Sequence, residues 1–193
     1  MKVIYLHGFA SSPNSKKVDM LREAGFDVVA PIIDIDPGIA EPYLIKFIID
    51  ICNSQAHDEK LVIVGTSLGG FWAARMGRPF DITSILINPA MNPEFSLRKA
   101  IGDNMNYKTF ESFILTEEIV AKYSNYPVSD DSSRFQTYFI ATRDTPVPVN
   151  AINVFMYDSD DHQGLSFFPD VIHYLKKIES EPSLDQNEFP DFI

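Results

Sequence analysis

The sequence predicts an α/β fold in which a mostly parallel, doubly wound sheet of about six strands is covered by helices on both faces. Two observations carry this prediction. Short apolar runs bounded by turn residues alternate with segments of helical pattern, as in βαβ units. The runs are apolar almost throughout rather than at every second residue, as expected for strands buried on both faces. Right-handed crossovers then complete the doubly wound arrangement.

Six segments form the predicted strands, and most of the predicted helices lie between them. In chain order the strands are 2–6, 26–30, 61–64, 83–87, 136–141 and 152–157. The helices are 15–24, 40–54, 70–76, 95–102, 109–122 and 169–179. We expect a single domain over residues 1–178, followed by an acidic tail at 179–193. The segment 91–135 is longer than an ordinary connection, and we expect either a small cap over a pocket or a long crossover.

Composition and charge narrow the classes of protein to which the chain can belong. It has 193 residues, a size that suits one domain with a sizeable core, and 45% of them are hydrophobic. The net charge of −11 disfavours binding to nucleic acids and to anionic membranes. No apolar run has the length of a signal peptide or a membrane span, so we expect a cytoplasmic protein. Cys52 is the single cysteine and is expected to be a buried thiol in a helix.

The segment 61–76 has the pattern of a nucleophile elbow. Four apolar residues at 61–64 form a strand, Gly65-Thr66-Ser67-Leu68-Gly69 matches G-x-S-x-G, and a helical segment follows. Such a turn strains the backbone at the serine and needs glycines where strand and helix approach closely. It exposes the Ser67 hydroxyl at the carboxyl end of the sheet, which predicts a nucleophile.

A serine nucleophile needs a general base, and the chain offers four histidines. In enzymes built on this elbow the chain order is serine, acid, histidine, which excludes His7 and His57 because both precede the serine. His173 lies inside the last predicted helix, where a packed or surface role is expected. His162 follows the last predicted strand, at the same sheet edge as Ser67, and is the predicted base.

The acid that orients the base is expected after the preceding strand. Asp144 is the first carboxylate beyond the predicted strand 136–141, and a proline-stiffened turn follows it. Arg143 beside it is expected to be a surface ion partner. Three other carboxylates lie close to His162 in sequence and remain alternatives for the acid: Asp158, Asp160 and Asp161.

Two backbone N–H groups are expected to form an oxyanion hole. One belongs to Leu68, and the other to Phe9 in the loop after the first strand, where His7 is expected to be a structural anchor. A phosphate-binding loop is not indicated, because the lysine of a P-loop is missing and no G-x-G-x-x-G follows a strand. We expect no cofactor and no metal, since the histidines are scattered and the acidic run 158–161 lacks calcium-loop spacing.

Three blocks of sequence carry a family resemblance that spans nearly the whole chain. They are His7 to Pro13, Gly65 to Ala73 and Asn88-Pro89-Ala90. Together they resemble the YqiA/YcfP-type family of small bacterial esterases, which have a compact α/β-hydrolase fold. The resemblance implies hydrolysis of carboxylic esters or acyl thioesters by a triad of Ser67, Asp144 and His162. It also implies that Phe9 and Leu68 are the oxyanion donors. This chain has Arg143 where the family usually has glycine.

The function predicted from the sequence is a serine esterase or thioesterase that forms an acyl-enzyme. Two alternatives stay open: an acyltransferase with the same triad, and a non-catalytic binding or interaction protein on a hydrolase scaffold. The substrate is expected to be a small-molecule ester or thioester, and the negative net charge favours small neutral esters.

The sequence also suggests which side chains surround the substrate. Phe71, Trp72 and Phe167 are expected to line an acyl pocket, with core packing as the alternative. A highly anionic substrate would need a local basic patch. The candidates for such a patch are Lys16, Lys17, Arg98 and Lys99.

Overall fold

A parallel sheet of six strands forms the centre of the fold in the computed structural model, which describes residues 1–56, 59–128, 135–146 and 151–181. In the order in which they lie side by side, the strands are β2 (Asp27–Val29), β1 (Lys2–Leu6), β3 (Leu61–Thr66), β4 (Thr83–Ile87), β7 (Gln136–Ala141) and β8 (Asn153–Tyr157). Every neighbouring pair in this sheet is parallel. The order reverses direction after β2, which confirms the predicted doubly wound arrangement.

Six α-helices connect or flank the strands in the described parts of the chain. They are α1 (Lys16–Glu23), α2 (Pro37–Ser54), α3 (Leu68–Gly77), α4 (Pro93–Leu97), α5 (Glu117–Lys122) and α6 (Phe168–Ser180). Local capping explains where several of them begin. Ser15 accepts the N–H of Val18 at the start of α1, and Asp36 accepts the N–H of Gly38 at the start of α2. Each side chain satisfies a backbone donor that has no partner within its helix.

Two hydrophobic cores cover the two faces of the sheet. The residues of β1 show the division, since Val3 and Tyr5 point into one core while Ile4 and Leu6 point into the other. Helices α1 and α6 close the first core, and α2 and α3 close the second. The sheet is therefore buried on both faces, as its apolar strands predict.

The six predicted strands are confirmed, but the predicted helix at 109–122 is wrong. Its first part is instead strand β6 (Ser112–Leu115), which pairs antiparallel with β5 (Gly102–Met105) in a separate hairpin. The helix begins only after Thr116, whose side chain accepts the N–H of Ile119. Strand β5 is polar and gives no apolar run, so the sequence pattern carried no signal for it.

The hairpin β5–β6 is fastened to the loop that follows β1. The N–H of Tyr107 donates to the carbonyl of Ala10 at 3.1 Å, and the Asn106 side-chain amide donates to the carbonyl of Ser11 at 2.8 Å. The segment that the sequence left as cap or crossover thus holds α4, this hairpin and α5 beside the carboxyl edge of the sheet. Residues 129–134 of that segment lie outside the described residues.

Two smaller expectations need correction. Cys52 is exposed, because the buried face of α2 runs through Leu44, Ile48 and Ile51 and leaves the next position toward solvent. Helix α6 continues to Ser180, so the predicted tail begins inside the helix. The remainder of the tail, 182–193, lies outside the described residues.

Candidate active site

Ser67 lies at a strained turn between β3 and α3. Its φ of 55° and ψ of −118° place it in a conformation that non-glycine residues rarely adopt and that costs roughly 1–3 kcal/mol. Backbone hydrogen bonds hold the turn, since the Ser67 N–H donates to the Ile87 carbonyl at 2.9 Å and its own carbonyl accepts the Ala90 N–H at 3.0 Å. A Cβ at Gly65 would overlap the Gly69 carbonyl oxygen. The glycines of the motif are therefore required by close backbone approach.

The structure brings the three predicted triad residues into one chain of hydrogen bonds. The His162 Nε2 lies 2.9 Å from the Ser67 Oγ, and the His162 Nδ1 lies 2.7 Å from the Asp144 Oδ2. A neutral imidazole that donates from Nδ1 to the carboxylate presents a lone pair on Nε2 to the serine hydroxyl. This arrangement is the one in which a histidine accepts a proton from serine.

The carboxylate of Asp144 is held by its surroundings, whereas two of the alternative acids, Asp158 and Asp161, have other partners. The Thr145 hydroxyl donates to the Asp144 Oδ2 at 2.6 Å, which fixes the oxygen that faces the histidine. Asp158 pairs with the exposed guanidinium of Arg143 at 3.5 Å. The two oxygens of Asp161 accept the backbone N–H groups of Gly164 and Ser166. Of these carboxylates, Asp144 is the one placed on the imidazole.

Asn88 positions the loop that carries the histidine. Its side-chain amide donates to the carbonyls of Asp161 and His162 at 2.9 and 3.0 Å, and its oxygen accepts the N–H of Ala141 at 2.7 Å. Only 1% of the residue is exposed, so its buried side chain links the ends of β4 and β7 to the His162 loop by hydrogen bonds. The sequence motif Asn88-Pro89-Ala90 marked this position but did not reveal its role.

The two expected oxyanion donors border one cavity next to the nucleophile. Within the described chain, the N–H groups of Phe9 and Leu68 have no hydrogen-bond acceptor. Gly8 permits the close approach of this loop, because a Cβ there would lie 3.4 Å from the Ser67 Cβ. Both N–H groups are thus free to donate a hydrogen bond toward the cavity.

His7 fastens the loop that follows β1 to the segment around Ile33. Its Nδ1 lies 2.9 Å from the Gly8 carbonyl, and its Nε2 lies 3.1 Å from the backbone nitrogen of Ile33. Since the backbone N–H can only donate, Nε2 is the acceptor and Nδ1 carries the proton. Burial lowers the pKa of His7, against the opposing effect of the bond to Gly8, which keeps the ring in this neutral form.

Two surface cavities of about 300 Å³ each meet at Gly8 and Ser11. The first, which we term the apolar cavity, is bordered by Phe9, Ile32, Ile33, Ile35, Leu68 and Phe113, with the acidic Asp34 and Glu111 at its edge. The second, which we term the lysine cavity, is bordered by Tyr5, Lys16, Lys17, Thr66, Lys108 and Gln163. Gly8 lies beside Ser67, so both cavities are close to the serine, and each has a volume near the lower limit for ligand sites.

The aromatic residues expected to line an acyl pocket lie in the core instead. Phe71 and Trp72 are 1% and 0% exposed, and the ring of Phe71 packs edge to face against those of Trp72 and Tyr123. Phe167 is 4% exposed and stacks on the ring of Tyr157 at a centroid distance of 4.2 Å. None of the three borders either cavity, because Phe71 and Trp72 pack against Tyr123 and Phe167 packs against Tyr157.

The described residues offer no group of three histidine, cysteine, aspartate or glutamate side chains that could hold a metal ion. In the same parts of the chain, no helix combines the length and the apolarity that crossing a bilayer requires.

Comparisons of sequence place the chain in a known family. The model of an uncharacterised protein family, UPF0227, matches residues 2–147, which confirms the resemblance drawn from the three sequence blocks. UPF0227 proteins of Pectobacterium atrosepticum and Yersinia pseudotuberculosis are 37% and 39% identical over 108 residues, 54% of this chain and 59% of each relative. One from Shewanella woodyi is 27% identical over 150 residues, 69% of this chain and 83% of the relative. The chain thus spans less than two thirds of the Pectobacterium and Yersinia relatives.

Comparisons of structure identify the fold. The esterase Est1E of Butyrivibrio proteoclasticus, solved with ferulic acid, has a TM-score of 0.66 and 16% identity, over 92% of this chain and 87% of that one. The esterase Pf2001 of Pyrococcus furiosus has a TM-score of 0.60 and 16% identity, over 91% and 82%. Tomato methylketone synthase I, solved with 2-tridecanone, has a TM-score of 0.60 and 13% identity, over 91% and 98%. At such identities the likeness shows the α/β-hydrolase fold alone.

Proposed function

The chain belongs to the UPF0227 family, and we propose that it is a serine hydrolase that cleaves carboxylic esters or thioesters through an acyl-enzyme. The observation that carries the proposal is the unbroken chain of hydrogen bonds from the Asp144 carboxylate through His162 to the Ser67 hydroxyl, at 2.7 and 2.9 Å. Such a chain on a strained elbow, next to two free backbone donors, matches the geometry required for acyl transfer.

In the first half-reaction, Ser67 becomes acylated. Its Oγ attacks the carbonyl carbon of the substrate while the His162 Nε2 accepts the hydroxyl proton, and the carbonyl oxygen takes the negative charge. The N–H groups of Phe9 and Leu68 stabilise that charge, and the loss of one such donor costs about 3–4 kcal/mol in the barrier. The imidazolium is stabilised by Asp144, and it then gives its proton to the leaving alkoxide or thiolate as the carbon–oxygen or carbon–sulfur bond breaks.

In the second half-reaction, water takes the place of the serine. His162 removes a proton from the water, whose oxygen attacks the acyl carbon, and the same donors hold the new oxyanion. The bond to the Ser67 Oγ then breaks, the proton returns to the serine, and the carboxylic acid departs. Preorganisation supports both steps, because Thr145 and Asn88 hold the acid and the histidine loop before any substrate binds.

Hydrolysis of p-nitrophenyl butyrate tests the proposal. We expect the wild-type protein to hydrolyse this ester in water without an added acceptor, and Ser67→Ala to lower kcat by at least about a thousandfold. Ser124→Ala, at an exposed serine away from the site, is the matched control and should retain the wild-type rate. An undiminished rate in Ser67→Ala would exclude the mechanism. Turnover that requires an added alcohol would favour the acyltransferase.

A further inference from the structure

The lysine cavity lies directly beside the triad. Gly8 and Thr66 form part of its wall, and both are next to Ser67, one in space and one in sequence. Gln163, which follows the histidine, forms another part. A group bound in this cavity is therefore close to the reacting atoms rather than at a remote surface.

Three lysines surround this cavity in a chain whose net charge is −11. Lys16 and Lys108 are exposed at its rim, whereas Lys17 is only 4% exposed. Across the described residues, the Lys17 ammonium has no hydrogen-bond or ion-pair partner. Burial lowers the pKa of Lys17 to about 8, which leaves the group mostly protonated at pH 7. The side chain of Lys17 is buried, but its ammonium is not among the enclosed polar atoms that lack a partner, so it faces the open cavity and can bind a ligand there.

The carboxylate of Asp161 acts on this ammonium through its charge and also accepts backbone hydrogen bonds. The Asp161 carboxylate lies close enough to raise the pKa of Lys17 in part. However, its two oxygens accept the N–H groups of Gly164 and Ser166 at 3.0 and 2.7 Å. Hydroxyl donors complete the cavity wall, among them Tyr5, whose oxygen lies 3.2 Å from the Thr66 Oγ1. The residues that border the cavity thus include three lysines and several hydroxyl groups, and no aspartate or glutamate.

The residues that border the neighbouring apolar cavity differ in charge, since they include two carboxylates and neither lysine nor arginine. Its wall is formed by isoleucine and phenylalanine side chains, and its charged groups are Asp34 and Glu111. An anion would be repelled there, whereas a hydrocarbon chain would bury apolar surface. The apolar cavity therefore suits an apolar part of a substrate, and the lysine cavity suits an anionic part.

We propose that the substrate is an ester or thioester whose leaving group carries a compact oxyanion, which is a carboxylate or a phosphate. This oxyanion binds Lys17 in the lysine cavity, and the acyl chain occupies the apolar cavity. The orientation follows from His162, which must protonate the leaving atom, and from Gln163 and Leu165, which continue from it along the lysine cavity. Phe9 and Leu68, the oxyanion donors, border the other cavity. This inference rests on the proposed function and replaces the sequence-based preference for neutral esters.

Kinetics with paired esters test this division of the substrate. The probes are the butyrate esters of glycolate and of hydroxyethyl phosphate, each compared with the uncharged butyrate ester of glycolamide. We expect higher kcat/KM for the anionic esters, and we expect Lys17→Met to reduce that preference by about ten- to a hundredfold. Lys108→Met, at an exposed position, should reduce it less. Lys99→Met changes the same charge on an exposed helix end and should leave the preference unchanged.

The two anionic probes also distinguish the source of the oxyanion, since the better one identifies carboxylate or phosphate. Equal rates for anionic and neutral esters, or a preference that survives in Lys17→Met, would overturn the inference. A Lys17-dependent preference seen only with monoethyl succinate, whose charge is on the acyl side, would overturn the assigned orientation.

A binding measurement separates this inference from the proposed function. Calorimetric titration with inorganic phosphate and with glycolate needs no catalysis, and we expect Lys17→Met to weaken the binding of at least one of them about tenfold or more. Binding without any ester hydrolysis would reject the serine hydrolase and keep the anion site. Ser67-dependent hydrolysis of the neutral ester without Lys17-dependent binding would reject the anion site alone.

Discussion

Replacing Lys17 by methionine should make the unliganded protein more stable. The ammonium is buried at 4% exposure, and burial lowers its pKa from 10.5 to about 8. At about 1.4 kcal/mol for each tenfold change in proton affinity, this lower pKa means that the charged form weakens folding by about 3 kcal/mol at pH 7. Methionine fills a similar volume without the charge, so Lys17→Met should raise the free energy of unfolding by about that amount.

The pH dependence of this effect gives a second check. The folded protein releases the Lys17 proton near pH 8, whereas the unfolded chain keeps it to about 10.5, so the unfolded state binds more protons between these values. The penalty is therefore fully present below pH 8 and is lost as the pH rises toward 10.5. The advantage of Lys17→Met should fall to about 1.4 kcal/mol at pH 9.5.

Urea denaturation of both proteins, followed by circular dichroism at pH 7 and pH 9.5, measures these differences. Lys99→Met is the matched control, since it removes the same charge from an exposed side chain and should change the free energy of unfolding by less than about 0.5 kcal/mol. A Lys17→Met protein that is less stable than wild type at pH 7 would refute the reasoning. So would a stabilisation that does not change between the two pH values.

Four further substitutions test other parts of the site. Asp144→Asn should lower kcat toward p-nitrophenyl butyrate by about ten thousandfold, because the imidazole loses its anionic partner. Asp158→Asn should leave kcat within a few fold of the wild-type value. The reverse result would assign the role of the acid to Asp158. Asn88→Ala removes three hydrogen bonds and should lower the free energy of unfolding, measured by urea titration, by about 3 kcal/mol. It should also lower kcat strongly. An unchanged kcat would contradict the role of Asn88 in holding the His162 loop. Trp72→Ala should lower the free energy of unfolding by about 3–5 kcal/mol and leave KM unchanged. A raised KM in the folded variant would indicate that Trp72 contacts the substrate.

Signals that are local in sequence predicted the sheet and the residues that meet at the candidate site. The strands appear as short apolar runs, and the elbow needs glycines at fixed offsets from Ser67 because its backbone segments nearly touch. His162 and Asp144 follow the strands whose carboxyl ends share an edge with β3, so chain order alone brought them close.

What the sequence did not predict depends on contacts between distant segments. Strand β5 is polar, and its pairing with β6 is not visible as an apolar pattern. Lys108 reaches the lysine cavity only because the hairpin is fastened to the loop after β1. The burial of Trp72 depends on which face of α3 meets the sheet. Such placements are set by tertiary packing, and the local sequence pattern contains no signal for them.

Covalent labelling of Ser67 by a fluorophosphonate tests the central claim most directly, because such probes react with a serine hydroxyl activated by a histidine next to free oxyanion donors. After incubation of the folded wild-type protein, intact-mass spectrometry should show a single phosphonyl adduct, and peptide mapping should locate it at Ser67. Ser67→Ala should show none, and Asp144→Asn should react far more slowly. A folded wild-type protein that acquires no adduct, or one labelled equally well in Ser67→Ala, would contradict the account and favour a non-catalytic protein on a hydrolase scaffold.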